Sequence, residues 1–174
     1  QFEFYEDKSL LLSKEEFFNK YELDITKKII CFSGDDERTS PYDPLYLEDL
    51  AKTIDDLPIK EQPQIFFRRC PVDLSGRYQF VIKKYPKIIK DISPLWSFDK
   101  DKNWNLVYPK FEDIKMLVNL AYHSDAVINV GSTMAHDFSI YNKPGIYINY
   151  DKVEDKNWSV NTIYKFQHFR SMPD

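Results

Sequence analysis

Ser124-Asp125-Ala126-Val127-Ile128-Asn129-Val130-Gly131-Ser132-Thr133-Met134-Ala135-His136-Asp137 is the stretch that decides how the rest of this chain is interpreted. The apolar run 126–130 predicts a strand buried on both faces of a parallel sheet. Gly131 follows it, and glycine permits both a tight turn and the close approach of a ligand. The helix predicted next would begin with backbone N–H groups that have no partner inside the helix. This order of strand, turn and helix predicts a phosphate site.

Three side chains in the same stretch add polar groups to that site. Ser132 and Thr133 supply hydroxyl groups at the start of the predicted helix, and Asp137 places a carboxylate one turn later. A carboxylate there is suited to accept hydrogen bonds from sugar hydroxyls. The alternative is that Ser132 and Thr133 only cap the helix, and that Asp137 is solvated or pairs with a nearby cation.

The composition bounds the kind of protein this is. A chain of 174 residues with 43% hydrophobic side chains predicts a single folded domain over 1–174, with a core of its own. The net charge of −4 argues against a general nucleic-acid binder. No apolar run approaches the roughly 20 residues of a membrane-spanning helix, so we expect no transmembrane segment and a cytoplasmic protein. Cys31 and Cys70 are far apart and are predicted to be reduced thiols.

Strands and helices are predicted to alternate along the chain. Ser13 and Glu16 form a capping-box pattern, and Asp43-Pro44 is typical of an N-cap followed by proline at the first helical position. We predict strands at 28–32, 64–69, 105–108, 126–130 and 145–149, and helices at about 14–21, 43–54, 75–84, 110–121, 132–141 and 158–169. The segment 92–103 has no clear period and is predicted to be a long loop.

This alternation predicts an α/β fold with one parallel sheet covered by helices on both faces. Ligands of such sheets bind beyond the carboxyl ends of the strands. Arginine matches phosphate geometry well, although arginines at strand ends can also be plain surface charges. The groups expected at that edge are Ser33-Gly34, Arg68-Arg69, Tyr108-Pro109, Gly131-Ser132-Thr133 and Asn149–Asp151. Together they favour a nucleotide or sugar-phosphate ligand.

The spacing Asp125-x5-Gly131-Ser132-Thr133-x3-Asp137, followed by Lys143-Pro144, resembles the C-terminal donor-binding domain of bacterial GT-B glycosyltransferases. The resemblance implies a Rossmann-like domain that is one half of a GT-B fold. It also implies that Gly131, Ser132 and Thr133 hold the diphosphate of the donor, and that Asp137 binds the ribose.

A second motif, Arg68-Arg69-Cys70-Pro71, resembles the Arg-x-His-Pro of related bacterial surface-polymer transferases. Arg68 matches the arginine, but Cys70 stands where the family has histidine, so no role of that histidine is carried over. The resemblance implies that the loop at Tyr108 reads the base. Gly34 is expected beside the ligand at the end of the first strand.

The resemblance implies a donor domain that binds a nucleotide-diphospho-sugar, with UDP as one candidate nucleotide, for cell-surface polysaccharide synthesis. It implies no cofactor and no obligatory metal. The chain begins at Gln1 and stops at Asp174 after a helical pattern, so we expect a C-terminal domain cut from a longer protein. The N-terminal domain that binds the acceptor and often carries the general base would be missing. Catalytic residues therefore stay unknown, and the domain alone is expected to be inactive.

Other functions are compatible with the same pattern. They are a polyol-phosphate transferase, a sugar-nucleotide epimerase and a non-catalytic binding module for nucleotide sugars. The epimerase is disfavoured because the Gly-Gly-x-x-Glu-Glu pattern of that group is not present at Gly131. Asp99-Lys100-Asp101 resembles the metal-binding Asp-x-Asp of the other large glycosyltransferase fold, but it lies in a charged predicted loop and is discounted.

Overall fold

Five parallel strands form the central sheet in the computed structural model, which describes residues 3–98 and 107–166. The strands are β1 (Ile29–Ser33), β2 (Gln64–Arg68), β3 (Ile89–Asp91), β6 (Ala126–Asn129) and β7 (Gly145–Tyr147). Their order across the sheet is β3-β2-β1-β6-β7, and every neighbouring pair is parallel. This arrangement is the Rossmann-like α/β sheet predicted from the sequence.

Helices cover both faces of the sheet, as the sequence predicted. The helices are α1 (Lys14–Lys20), α2 (Asp43–Asp55), α3 (Gln79–Lys84), α4 (Phe111–His123), α5 (Met134–Ser139) and α6 (Val160–Ile163). Neighbouring side chains of β2 point to opposite faces: Phe66 packs in the hydrophobic cluster that includes α1, α4 and α5, and Phe67 in the one that includes α2, α3 and α6.

The order in which strands are added to the sheet changes direction between β1 and β6. From β1 it first builds outward through β2 and β3, then crosses back to add β6 and β7 on the other side. The register places Ser33 of β1 opposite Arg68 of β2, and Phe32 opposite Ile128 of β6. Such a switch point leaves a crevice outside the carboxyl ends of the two strands.

The prediction of a third parallel strand at 105–108 is wrong at Tyr108, and residues 105 and 106 lie outside the described ranges. The third strand of the sheet is β3, where Ile89 pairs with Ile65. Tyr108–Pro109 instead forms β5, which pairs antiparallel with β4 (Trp96–Ser97) in a separate ribbon. The edge strand β3 is short and carries Lys90 and Asp91, so it lacks the apolar run by which the sequence analysis recognised strands.

The starts of two helices also differ from prediction. The capping box of α1 is confirmed, because Ser13 Oγ accepts from the Glu16 N–H at 3.1 Å and Glu16 accepts from the Ser13 N–H at 2.8 Å. Asp43 is not the N-cap of α2: the helix begins at Asp43 after Tyr42. The Asp43 carboxyl is drawn instead to the Ser40 hydroxyl, 2.6 Å away.

Helix α3 begins at Gln79 and not near 75, as predicted. Gly76 has φ +74°, a left-handed conformation that interrupts any helix there. Just before it, Asp73 accepts hydrogen bonds from the backbone and hydroxyl of Ser75, at 3.0 and 2.6 Å, and these favour a turn.

Some predictions fall partly or wholly outside the described residues. The final helix, predicted over 158–169, is confirmed only as α6, and 167–169 lie outside the description. Asp99-Lys100-Asp101 lies outside it too. Across 3–98 and 107–166, no helix is both long enough and apolar enough to cross a membrane.

Candidate functional site

A cleft of about 420 Å³ opens at the carboxyl ends of β1, β2 and β6. We call it the rim cleft. It lies at the switch point of the sheet, where α/β folds bind their ligands. Its lining is Ser33, Gly34, Asp35, Thr39, Arg68, Arg69, Cys70, Pro71, Trp96, Leu117, Gly131, Ser132, Thr133 and Met134. Five of the seven residues that the sequence assigned to ligand binding are therefore brought together: Gly34, Arg68, Gly131, Ser132 and Thr133.

Hydrogen bonds fix Ser132 at the turn after β6. Its Oγ shares a hydrogen bond with the Ser33 hydroxyl at 2.7 Å and accepts from the Met134 N–H at 3.3 Å. Its own N–H donates to Asn129 Oδ1 at 2.9 Å. Either hydroxyl of the Ser33–Ser132 pair can donate to the other, so one O–H of the pair is left to donate to a ligand. Asn129 is fully buried, and within the described part of the chain its side-chain nitrogen has no hydrogen-bond partner.

The side chain of Thr133 does not cap a helix. It occupies the N-cap position of α5 without a side-chain hydrogen bond to that helix, and it is exposed on the lining of the rim cleft. The capping alternative is therefore wrong for Thr133 and confirmed for Ser132, whose Oγ receives the Met134 N–H at the start of α5.

Gly131 and Gly34 both lie against side chains of their own chain. A Cβ on Gly131 would be 2.6 Å from Ile163 Cγ2 of α6, and a Cβ on Gly34 would be 2.7 Å from the Tyr78 hydroxyl. Packing alone thus accounts for glycine at both positions. The Gly131 N–H is directed to the Asp35 carboxyl, at 3.2 Å from Oδ2.

Arg68 lines the rim cleft but is already paired. Its guanidinium donates two hydrogen bonds to Asp113 of α4, at 3.1 and 2.8 Å, and only 5% of Arg68 is exposed. Asp113 also accepts from the Leu95 N–H and from Trp96 Nε1, both at 2.8 Å. Burial disfavours the charged form of Asp113, but the hydrogen bonds and charge of Arg68 outweigh it and hold the Asp113 pKa below its ordinary value.

Arg69 has a similar partner. Its Nη2 donates two hydrogen bonds to the Asp91 carboxylate at the end of β3. The charges of both arginines at the rim cleft are thus matched by carboxylates of the chain itself. The sequence analysis placed the arginines at the correct edge but did not anticipate Asp113 or Asp91 as their partners.

Asp35 is a residue of the rim cleft that the sequence analysis missed. Its backbone N–H donates to Asp43 Oδ2 at 2.5 Å, which places the Asp43 carboxyl close to Asp35 behind the end of β1. Burial and the nearby Asp43 raise the pKa of Asp35 to about 7, and burial raises that of Asp43 to about 6. The sequence did contain one signal for Asp35: it is an acidic residue directly after Gly34, the glycine at the end of the first strand.

These two carboxyl groups predict a pH dependence of stability. Their pKa values are higher in the folded chain than in the unfolded one, so the folded state binds protons more tightly. The contribution of these two groups to folding stability is therefore greatest below about pH 4, and it declines as the pH rises toward 7. We expect Asp35→Asn to raise the melting temperature much more at pH 8 than at pH 4, measured by circular dichroism. An equal shift at both values would contradict this.

Asp137 and Tyr108 are not on the lining of the rim cleft. Asp137 is partly buried against Tyr5 near the start of the chain; burial raises its pKa, and the hydrogen bond from the Tyr5 hydroxyl opposes that rise. Tyr108 lies in the β4–β5 ribbon with 60% of its surface exposed, so its predicted place at the edge of the main sheet is wrong. Trp96, on the partner strand, reaches the cleft instead.

The free cysteines and the acidic residues form no metal centre in the described ranges. Cys31 is buried and Cys70 lines the rim cleft, and neither is in a disulfide. No group of three or more His, Cys, Asp or Glu residues within 3–98 and 107–166 is arranged to hold a metal ion.

Two solved structures are similar to this chain. The structure of S. aureus MnaA with UDP has 18% identity and a TM-score of 0.47, covering 75% of this chain and 29% of that one. The wall teichoic acid polymerase TagF has 17% identity and a TM-score of 0.44, covering 85% of this chain and 30% of that one.

This likeness concerns the fold alone. The chain spans less than a third of the length of either structure. No family model matches the sequence, and the comparison with curated proteins found no match. The function is therefore argued from the residues of the rim cleft.

Proposed function

We propose that the rim cleft binds the diphosphate of a nucleotide-diphospho-sugar, and that the domain is the donor-binding half of a glycosyltransferase. The observation that carries this is the meeting of Gly131, Ser132 and Thr133 at the β1–β6 switch point, with one O–H of the Ser33–Ser132 pair left to donate. Small and hydroxylic residues at that point are suited to a ligand that needs close approach and several hydrogen-bond donors.

The same groups have a chemical role in transfer. When the sugar leaves, negative charge develops on the diphosphate, and fixed O–H and N–H donors stabilise it without reorganising. Ser132 is fixed in this way by Ser33 and Asn129. The acceptor and the general base would be supplied by a second domain of the complete enzyme. No metal is needed for this scheme.

Asp137 remains the proposed contact of the ribose. Its carboxyl would have to exchange the Tyr5 hydroxyl for the hydroxyls of the sugar. We expect Asp137→Ala to abolish measurable nucleotide binding if this exchange occurs. Unchanged affinity in Asp137→Ala, with an intact fold, would remove Asp137 from the site but leave the diphosphate contacts in place.

Calorimetry against UDP-, GDP- and CDP-sugars tests the proposed function. We expect one of them to bind, and Ser132→Ala to weaken it about fivefold, because one hydrogen bond contributes about 1 kcal/mol. Ser139→Ala is the matched control, since Ser139 is exposed on α5 and donates to His136 O, outside the lining of the cleft. Absence of binding by every nucleotide sugar would overturn the proposal, and an equal loss in both variants would remove Ser132 from the site.

A further inference from the structure

The positive charges of the rim cleft are balanced before any ligand arrives. Arg68 is paired with the buried Asp113, and Arg69 with Asp91. Each pair is net neutral when both partners are ionised. The acidic residue of the lining that has no ion pair with either arginine is Asp35. The charge state of Asp35 therefore decides whether the cleft is neutral or negative toward an anion.

Asp35 also occupies a donor that a phosphate would use. Its Oδ2 is 3.2 Å from the nitrogen of Gly131, so the carboxyl takes the N–H at the turn after β6. A carboxylate oxygen and a phosphate oxygen compete for the same kind of donor. Asp35, Gly131, Ser132 and Thr133 all line the rim cleft, and Gly131 directly precedes the two hydroxylic residues, so an anion bound by those hydroxyls would lie close to the Asp35 carboxyl.

The surroundings of Asp35 make its ionised form costly. The carboxyl is largely removed from water, and Asp43 of α2 and Asp36 of its own loop add negative charge. Arg77, just before α3, opposes this, but its guanidinium is bound to Asp73 and to the backbone oxygen of Asp35. The Asp35 charge also interacts with Cys70, Tyr147 and Tyr164.

We propose that the Asp35 carboxylate competes with the ligand phosphate for the Gly131 N–H, so that anion binding in the rim cleft is coupled to the uptake of one proton by Asp35. The proposal rests on the proposed function for its ligand, a nucleotide-diphospho-sugar. The proton comes from solvent and adds to a carboxylate oxygen of Asp35, which then ceases to repel the phosphate. Neutral Asp35 can also donate that proton to a phosphate oxygen.

The direction of the pH effect follows from this competition. A bound anion disfavours the negative form of Asp35 and raises its pKa further. Above the pKa of the free protein, which is about 7, binding must therefore take up a proton, and affinity falls by about tenfold per pH unit. Below that pH Asp35 is already neutral, and affinity becomes independent of pH.

The experiment uses ligands whose own charge is constant between pH 5.5 and 8.5. UDP-, GDP- and CDP-sugars qualify because each of their phosphates carries one ester and one anhydride bond and so has a single, strongly acidic proton. Sulfate serves as the probe without a nucleotide. Calorimetry in buffers of different ionisation enthalpy measures the protons taken up by the unmodified protein. The ¹⁵N–¹H signal of Gly131 reports whether the anion replaces Asp35 at that amide.

Asp35→Asn removes the titration while keeping an acceptor oxygen for the Gly131 N–H. Glu37→Gln is the matched control, because it removes the same charge from an exposed position of the same loop. We expect proton uptake near one at pH 8 in the unmodified protein and in Glu37→Gln. In Asp35→Asn we expect no proton uptake, and we expect the affinity for the ligand to be equal at pH 6 and pH 8.

The outcomes separate this inference from the proposed function. A nucleotide sugar that binds without proton uptake would overturn the inference and leave the function intact. Proton-coupled binding of sulfate with no binding of any nucleotide sugar would support the inference and overturn the function. Binding of neither probe would overturn both, and proton uptake that persists in Asp35→Asn would overturn the inference.

Discussion

Asp113→Ala is expected to lower the free energy of unfolding by about 3–5 kcal/mol, because it leaves the Arg68 guanidinium buried and unpaired. The substitution also removes the acceptor of the Leu95 N–H and of Trp96 Nε1. These contacts tie α4, β2 and the β4–β5 ribbon to one carboxylate. Urea denaturation followed by tryptophan fluorescence and circular dichroism measures the loss.

Asp91→Ala is the control for Asp113→Ala. It breaks the equivalent pair of the neighbouring Arg69, whose side chain and partner remain about a fifth exposed. Water can reach part of the released guanidinium, so we expect a smaller loss, of about 1–3 kcal/mol. Equal losses in the two variants would show that burial of the Arg68–Asp113 pair has no special cost when it is broken.

Gly131→Ala is expected to destabilise the fold by about 1–3 kcal/mol through overpacking. The new Cβ would lie 2.6 Å from Ile163 Cγ2, and the β-branched side chain of isoleucine has little freedom to rotate away. Ile163 is itself buried in α6, so the helix must shift or the turn must open. Equilibrium denaturation of the variant measures the cost.

A double-mutant cycle with Ile163→Ala assigns the cause. Ile163→Ala removes Cγ2, so the double variant Gly131→Ala/Ile163→Ala should lose less stability than the sum of the single variants. Gly76→Ala is the comparison: Gly76 has φ +74° and no atom within 4 Å of the position that a Cβ would take, so its strain should add independently to Ile163→Ala. Additive losses for Gly131→Ala would exclude the contact with Ile163 as the cause.

Hydrophobic periodicity correctly predicted the strands whose burial leaves an apolar run in the sequence. The runs at 28–32, 64–69 and 126–130 correspond to β1, β2 and β6, which lie at the centre of the sheet and are apolar toward both faces. β3 was missed at the edge of the sheet, since a strand with one neighbour needs no continuous apolar run. The region of Tyr108 was wrongly assigned to the main sheet, because its β-type composition also suits an exposed two-stranded ribbon.

The predicted ligand-binding residues also divide into those that have a local signal in the sequence and those that do not. Gly131, Ser132 and Thr133 follow one strand directly, so their joint position was readable from local order, and Gly34 and Arg68 joined them through the rule for parallel strands. Asp137 depends on the direction of one side chain of α5, and it lies beside Tyr5 from the other end of the chain. Such contacts between distant segments leave no pattern in the sequence.

The sequence by itself determined the α/β class, the strand–turn–helix at Gly131 and the edge of the sheet at which a ligand is expected, because these follow from hydrophobic periodicity and local turn chemistry. Only the tertiary structure decided the charge of that edge. Asp113 and Asp91 neutralise Arg68 and Arg69, and Asp35 reaches the Gly131 N–H, across separations of 45, 22 and 96 residues. Electrostatic pairing depends on distance in space, which the order of residues does not encode locally.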